Sequence, residues 1–194
     1  MLDRFYPIVP DAAWVARIVP LGVKTVQLRI KDADAATIAR EISTALAACR
    51  AHDSQLIVND FWREAIALGA DYIHLGQEDL ADADLAAIRK AGLKLGISTH
   101  THDELRIALA AEPDYVALGP IYETTLKVMT YDPQGLDRIG EWKKLIRCPL
   151  VAIGGISLER APGVFSAGAD SIAVVSDIVA SPDPESRIAR WLVL

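Results

Sequence analysis

The chain has 194 residues, is 52% hydrophobic and carries a formal net charge of −6 at pH 7. This length suits one domain over residues 1–194 with a substantial core. The acidic balance argues against a nucleic-acid partner, because such partners are bound by basic surfaces. No apolar run approaches the length of a transmembrane helix, so we expect no membrane partner.

Short apolar runs alternate with helical patterns along the whole chain, which is typical of parallel βαβ units. The predicted strands are Tyr6–Val9, Thr25–Ile30, Leu56–Val58, Tyr72–Leu75, Leu93–Thr99, Tyr115–Leu118, Leu150–Ile153 and Ser171–Val175. Helical spacing predicts helices between them. Asp34 or Thr37 can cap the second helix, Ser157 a short helix late in the chain, and Ile188 to Leu192 belongs to the last one.

This alternation predicts a single (β/α)8 TIM barrel with the active site at the carboxyl ends of the strands. A doubly wound open sheet is the alternative. The Gly-x-Gly-x-x-Gly fingerprint of its dinucleotide-binding version is absent from the sequence. The sequence leaves open whether copies of the chain associate as a homo-oligomer.

Two carboxylates follow neighbouring predicted strands. Asp60 comes directly after Leu56–Val58 and Asn59, and Asp79 lies in the polar turn that follows Tyr72–Leu75. Because parallel strands end at the same edge, both side chains are expected to project from one end of the barrel. Such a pair suits Mg²⁺, with waters and substrate phosphates as further ligands. The alternative is that each Asp only caps a helix.

Other polar residues at strand ends indicate an anionic, phosphorylated substrate. The loops after the seventh and eighth strands, with Gly154-Gly155 and Val175-Ser176, are where many barrels bind phosphate. The two glycines are alternatively explained by a tight turn alone.

Three cationic residues extend this set. Arg29 and Lys31 alternate with Ile30, so we expect them on one side of the strand end, unless they form a solvated edge pair. Lys127 lies in a long loop that is either a lid or a surface segment. The remaining strand-end polar residues are Gln27, Asn59, Ser98 and those of the Thr124–Lys127 loop.

His100 and His102 form a His-x-His pair, but a zinc site needs a third ligand that the sequence does not supply convincingly. His74 alternates with core residues in a strand and is interpreted as structural. Cys49 and Cys148 form no motif, so we expect buried free thiols in a reducing, cytoplasmic compartment.

Several long segments, in the same order, are similar to the thiamine-phosphate synthase family. They are Thr25–Asp32, Leu56–Ile66, Asp71–Leu80, Leu95–His100, Tyr115–Tyr122, Pro133–Leu136 and Val151–Ile178. The resemblance covers nearly the whole chain. It implies a (β/α)8 barrel that joins hydroxymethylpyrimidine diphosphate to a thiazole phosphate, or its carboxylate, and releases pyrophosphate. The mechanism it implies is dissociative: pyrophosphate leaves first, and the thiazole nitrogen captures the resulting pyrimidine-methyl cation.

The resemblance also assigns site residues. Mg²⁺ would be held by Asp60 and Asp79. The pyrimidine diphosphate would be bound by Gln27, Leu28, Arg29, Ile30, Lys31, Asn59, Ser98 and Lys127. Of these, Arg29, Lys31, Ser98 and Lys127 would act in catalysis. The thiazole phosphate would be bound by Thr124, Thr125, Leu126, Gly155, Val175 and Ser176.

The chain departs from the family in one loop, where Pro-Thr-x-Thr-Lys is common. Here Glu123 replaces the proline, and Leu126 replaces a hydroxyl residue that can bond phosphate. A thiazole tautomerase of the same fold is a rival reading, as is a barrel that binds thiamine phosphates without catalysis. Neither rival would require the two metal-site carboxylates and the diphosphate residues together.

Overall fold

The structure is a computed structural model that describes residues 2–124 and 132–194. Within these ranges, eight parallel strands pair in chain order and close into a barrel through the pairing of the first strand with the last. This confirms the predicted (β/α)8 barrel and excludes the open sheet. Consecutive strands follow one another around the barrel because a helical segment on the outside returns the chain each time.

The strands and helices follow the predicted order. The strands are β1 (Phe5–Val9), β2 (Thr25–Leu28), β3 (Gln55–Asn59), β4 (Tyr72–Leu75), β5 (Lys94–Thr99), β6 (Tyr115–Leu118), β7 (Leu150–Ile153) and β8 (Ser171–Val174). The helices are α1 (Ala12–Ile18), α2 (Ala35–Ala51), α3 (Trp62–Leu68), α4 (Gln77–Asp82), α5 (Leu85–Lys90), α6 (His102–Ala110), α7 (Gly135–Leu145), α8 (Ala161–Ser166), α9 (Ser176–Val179) and α10 (Pro184–Trp191).

Three local predictions are wrong. The second strand ends at Leu28 rather than Ile30, so strand alternation does not fix the directions of the residues that follow. The polar segment after β4 is not a turn but helix α4, which is preceded by Gly76 at its N-cap and carries acidic residues in its first turn, where they favour helix formation. Ser157 does not cap α8; that position belongs to Arg160, and the Ser157 carbonyl accepts from the Arg160 and Ala161 amides. Asp34 caps α2 as predicted.

Two apolar clusters hold the barrel together. The larger lies between the strands and the helices, and the smaller fills the inside of the barrel with residues such as Tyr6, Tyr115 and Val151. Gly96 of β5 makes room for the Tyr115 ring, since a Cβ at this position would overlap that ring. Close packing inside therefore depends on the pairing of a large and a small residue on neighbouring strands β5 and β6.

In the described ranges, no helix combines the length and the apolar character that a membrane crossing requires.

Candidate active site

Polar side chains occupy the inside of the barrel near the carboxyl ends of β2 to β5. Gln27, Asn59 and His74 are buried, and Ser98 is half-buried. Strand register places Asn59 opposite His74 on β3 and β4. Apolar residues fill the deeper part of the barrel, so these groups form a polar floor beneath the mouth. Three of them, Gln27, Asn59 and Ser98, were predicted as site residues from the sequence alone.

The two predicted metal ligands lie together at the edge of this floor. The carboxyl groups of Asp60 and Asp79 are within hydrogen-bonding reach of each other, and the Asn59 side chain bonds Asp60. Burial, followed by repulsion from Asp79, raises the pKa of Asp60 to about 6, whereas nearby Arg29 opposes the rise. Two carboxyl groups this close, one of which raises the pKa of the other, make a site that favours a cation.

Neither acid serves as a helix cap. The caps of α3 and α4 are Phe61 and Gly76, and Asp79 lies inside the first turn of α4. Asp60 itself has φ of 66°, a left-handed conformation that is uncommon outside glycine and is concentrated at functional sites. The amide of Asp60 donates to the His74 carbonyl at 3.0 Å, which fixes this turn to β4. The helix-cap alternative is therefore excluded.

The donor set of this pair fits a hard cation. Among residues 2–124 and 132–194, no group of three or more His, Cys, Asp or Glu side chains is arranged to hold a metal ion. Two carboxylates leave most of an octahedral shell to water and substrate oxygens, which is how Mg²⁺ is commonly bound at phosphate-transfer sites. The pair also opens onto a cleft of about 790 Å³. That cleft is lined by Asp60, Phe61, Trp62, Arg63, Glu64, Glu78, Asp79 and Asp82.

The residues after β2 lie at the same end of the barrel, although they follow the strand and do not continue it to Ile30 as predicted. Arg29 is half-buried, its amide donates to the Val9 carbonyl at 2.9 Å, and its charge acts on both Asp60 and His74. Lys31 is exposed to solvent. The side chains of Leu28 and Ile30 lie in the outer apolar cluster, so only their backbone groups are available to a substrate.

The half-buried Ser98 is held from two sides. Its Oγ lies 2.8 Å from His74 Nε2, and its backbone carbonyl accepts from Gln77 Nε2 at 2.6 Å. Sequence reasoning interpreted His74 as structural and missed Gln77. The only signal for Gln77 was its place beside Gly76 after β4, because its contact with β5 depends on how the two strands pair.

The loops after β6 and β7 pack closely against each other. The Ile121 and Tyr122 amides donate to the Ile153 and Gly154 carbonyls at 2.9 and 3.0 Å. Gly155 has φ of 63°, and a Cβ there would overlap the Glu123 carbonyl and lie 2.9 Å from the Tyr122 Cβ. The glycine therefore does more than permit a turn, because it allows these two loops to touch.

Arg160, which sequence reasoning missed, strengthens this contact. Its Nη1 donates to the Gly155 carbonyl at 2.5 Å, and its guanidinium lies over the Tyr122 ring at 4.4 Å from the centroid. An arginine five positions after a glycine pair gives no distinctive sequence signal. Its role emerges only from the way the two loops pack.

The predicted thiazole phosphate residues lie on adjacent loops. Gly155 follows β7, Val175 and Ser176 follow β8, and β7 pairs with β8. Val175 is half-buried against the inside of the barrel, and Ser176 is exposed at the start of α9. Thr124 is half-buried at the end of the described part of the β6–α7 loop. Thr125, Leu126 and Lys127 lie outside the described residues.

The structure is a (β/α)8 barrel, and its candidate site lies at the carboxyl ends of the strands. A family model described as thiamine monophosphate synthase matches residues 6–178. A thiamine-phosphate synthase of Rhizobium etli is 61% identical over 192 residues, covering 98% of this chain and 94% of the relative. One of Neisseria gonorrhoeae is 47% identical, covering 100% of this chain and 95% of the relative.

A solved structure agrees with these sequence matches. The thiamine phosphate pyrophosphorylase from Pyrococcus furiosus superposes with a TM-score of 0.85 at 27% identity, covering 98% of this chain and 94% of that one. The chain belongs to the thiamine monophosphate synthase family, as the sequence resemblance indicated. The members of that family are transferases of thiamine biosynthesis.

Proposed function

We propose that this single-domain barrel condenses hydroxymethylpyrimidine diphosphate with a thiazole phosphate to give thiamine phosphate and pyrophosphate. The observation that carries the proposal is the Asp60–Asp79 pair at the edge of the barrel mouth, beside the cation Arg29. A diphosphate needs a divalent cation and positive side chains at one place. The family match and this pair support the same reaction.

The diphosphate half of the site would form at β2 to β5. Asp60 and Asp79 would hold Mg²⁺, which when bound neutralises negative charge on phosphate oxygens. Arg29 and Lys31, with Lys127 from the β6–α7 loop, would bind the leaving pyrophosphate and stabilise its charge. Gln27, Asn59 and Ser98 would orient the pyrimidine, and Leu28 and Ile30 would contribute backbone groups.

The thiazole phosphate would bind on the opposite side of the mouth. Backbone amides after β7 and β8 are suited to a phosphate, as in many barrels. In this proposal Thr124, Thr125 and Leu126 complete the phosphate site together with Gly155, Val175 and Ser176. Binding the two substrates by separate anion sites would hold the ring nitrogen in line with the reacting methylene carbon.

A dissociative reaction matches the side chains that are present. The nucleophile is a neutral ring nitrogen, so the reaction needs no strong general base. The carbon–oxygen bond to the diphosphate breaks first, and its electron pair leaves with pyrophosphate. The thiazole nitrogen then donates its lone pair to the pyrimidine-methyl cation. The protein's contribution is charge stabilisation and orientation. We also propose that the protein is cytoplasmic, as expected from the sequence.

The division of the site into two halves can be tested with Asp60→Ala. We expect turnover to fall by about a thousandfold or more, because the loss removes a ligand for the diphosphate's cation. Thiazole phosphate affinity, measured by calorimetry, should change less than about twofold. Asp82→Ala is the matched control, since Asp82 lines the same cleft without belonging to the proposed metal site.

Each result has a clear meaning. Loss of turnover with thiazole phosphate binding retained in Asp60→Ala supports the synthase. Unchanged turnover in this variant would exclude the proposed metal site. A wild-type protein that binds thiazole phosphate but makes no thiamine phosphate would favour a tautomerase or a binding barrel.

A further inference from the structure

A continuous chain of hydrogen bonds crosses the inside of the barrel and ends at Ser98. Gln27 Nε2 donates to the Tyr6 hydroxyl at 2.6 Å, and the Tyr6 and Tyr115 hydroxyl oxygens are 2.9 Å apart. The Tyr115 hydroxyl lies 2.8 Å from His74 Nδ1, and His74 Nε2 lies 2.8 Å from Ser98 Oγ. Two predicted binding residues on different strands are thereby connected through three side chains that sequence reasoning did not assign to the site.

The connecting groups are shielded from water. Tyr6 and Tyr115 are 1% and 0% exposed, and His74 is 7% exposed. The His74 and Tyr115 rings stack with centroids 5.6 Å apart, and Gly96 leaves the space that the Tyr115 ring fills. A buried polar group without a hydrogen-bond partner is energetically costly, so each group in this chain of hydrogen bonds restricts the donor or acceptor role of the next.

The buried His74 ring has one hydroxyl partner at each nitrogen, Tyr115 at Nδ1 and Ser98 at Nε2, and this environment favours a neutral imidazole. In agreement, burial, followed by the charge of Arg29, lowers the pKa of His74 to about 4. A neutral imidazole has one N–H donor and one lone-pair acceptor. The protein must therefore select one of two tautomers, and the hydrogen-bond partners of the ring decide which one it is.

The direction of the chain follows from its first donor. The amide nitrogen of Gln27 can only donate, so Tyr6 accepts at its oxygen and turns its single hydrogen toward Tyr115. Tyr115 then turns its own hydrogen toward His74 Nδ1, which accepts. The proton of His74 must therefore sit on Nε2 and point at Ser98 Oγ.

We propose that this chain of hydrogen bonds makes the Ser98 hydroxyl an acceptor from His74 and turns its hydrogen into the mouth of the barrel. There the hydroxyl would donate to an acceptor atom of the pyrimidine diphosphate. Tyr6, Tyr115 and His74 act as positioning residues. Gln77 fixes the Ser98 backbone from the other side, so only the hydroxyl rotation needs to be set. The identity of the acceptor rests on the proposed function, whereas the direction of the chain does not.

The wild-type protein gives the first test. Protein labelled with ¹⁵N-histidine is studied by long-range proton–nitrogen correlation NMR without substrates, and the His74 signals are identified by their absence in His74→Gln. We expect a neutral ring with the proton on Nε2. A proton on Nδ1, or a charged ring at pH 7.5, would overturn the proposal. This result does not depend on catalysis, so it stands apart from the test of the synthase activity.

Tyr115→Phe then tests the coupling. We expect the ¹⁵N chemical shifts of the His74 ring to move toward the values for a mixture of tautomers, because the donor to Nδ1 is lost. Tyr72→Phe is the matched control, since its ring centroid lies 6.4 Å from that of Tyr115 but it is not a member of the chain. Unchanged His74 signals in Tyr115→Phe, or the same change in the control, would contradict the proposal.

Kinetics provide a second readout. Tyr115→Phe should lower kcat about tenfold, with the KM for thiazole phosphate unchanged, because only the direction of the Ser98 donor is lost. In Ser98→Ala the same Tyr115→Phe change should have little further effect, since neighbouring members of one network are not additive. Independent, multiplied losses would show that Tyr115 acts without Ser98.

Discussion

The contact between Gly155 and the β6–α7 loop gives a prediction with a matched control in the same chain. Gly155→Ala forces a side chain into a left-handed backbone with φ of 63°, and its Cβ would overlap the Glu123 carbonyl. Gly92 has nearly the same conformation, with φ of 73°, but a Cβ there meets nothing within 4 Å. Comparing the two variants separates the backbone cost from the cost of displacing the loop.

The magnitudes follow from this geometry. An alanine in the left-handed region costs about 1 kcal/mol of unfolding free energy, and this alone applies to Gly92→Ala. Overlap with packed atoms adds about 1–3 kcal/mol, so Gly155→Ala should lose about 2–4 kcal/mol. The displaced loop carries Thr124, a proposed contact of the thiazole phosphate. We therefore expect the affinity for thiazole phosphate to fall about tenfold or more, a loss of about 1.4 kcal/mol.

The assay is chemical denaturation of both variants and the wild type, with calorimetric titration of thiazole phosphate into each folded protein. Gly92→Ala should keep the wild-type affinity because it lies after α5, away from the β7 loop. Equal destabilisation of the two variants, with unchanged thiazole phosphate affinity in Gly155→Ala, would contradict this prediction. That outcome would mean that the loops do not depend on their close approach.

Three other predictions concern the packing at Gly96, the burial of Cys49 and the hydrogen bond from Arg160 to Gly155. Gly96→Ala should lower the unfolding free energy by about 2–3 kcal/mol in denaturation experiments, because the methyl group overlaps the Tyr115 ring; a loss below about 0.5 kcal/mol would contradict the packing. Burial raises the pKa of the Cys49 thiol to about 12, so this thiol should resist labelling by a disulfide reagent at pH 8 until the protein unfolds. Fast labelling of the native thiol would be inconsistent with its burial. Arg160→Met should weaken thiazole phosphate binding about threefold by releasing the Gly155 carbonyl, and unchanged affinity would limit Arg160 to a surface role.

The sequence predicted the barrel because its strands are buried on both faces and read as short apolar runs. Leu150–Ile153, for example, is the predicted and the observed strand. Helix α4 was missed because its polar sequence and short length resemble a turn, whereas Gly76 and the acidic first turn start a helix. The end of β2 was placed too late because Ile30 is apolar and buried, although it has already left the sheet.

The candidate site, like the fold, could be predicted only in part. Asp60 and Asp79 could be predicted to lie together because parallel strands end at one edge, and this requires no knowledge of side-chain directions. The path from Gln27 to Ser98 could not be predicted, since it depends on the register between strands and on the space beside Gly96. Sequence alone identified its two ends but not the connecting groups.

The proposed synthase activity can be tested by incubating the purified protein with hydroxymethylpyrimidine diphosphate, thiazole phosphate and Mg²⁺, and measuring thiamine phosphate and pyrophosphate. A parallel reaction with excess EDTA serves as the control. We expect both products in equal amounts, with formation abolished by EDTA and restored by added Mg²⁺. Product formation that is insensitive to EDTA would contradict the role of Asp60 and Asp79. No product from a folded protein that binds both substrates would contradict the synthase function itself.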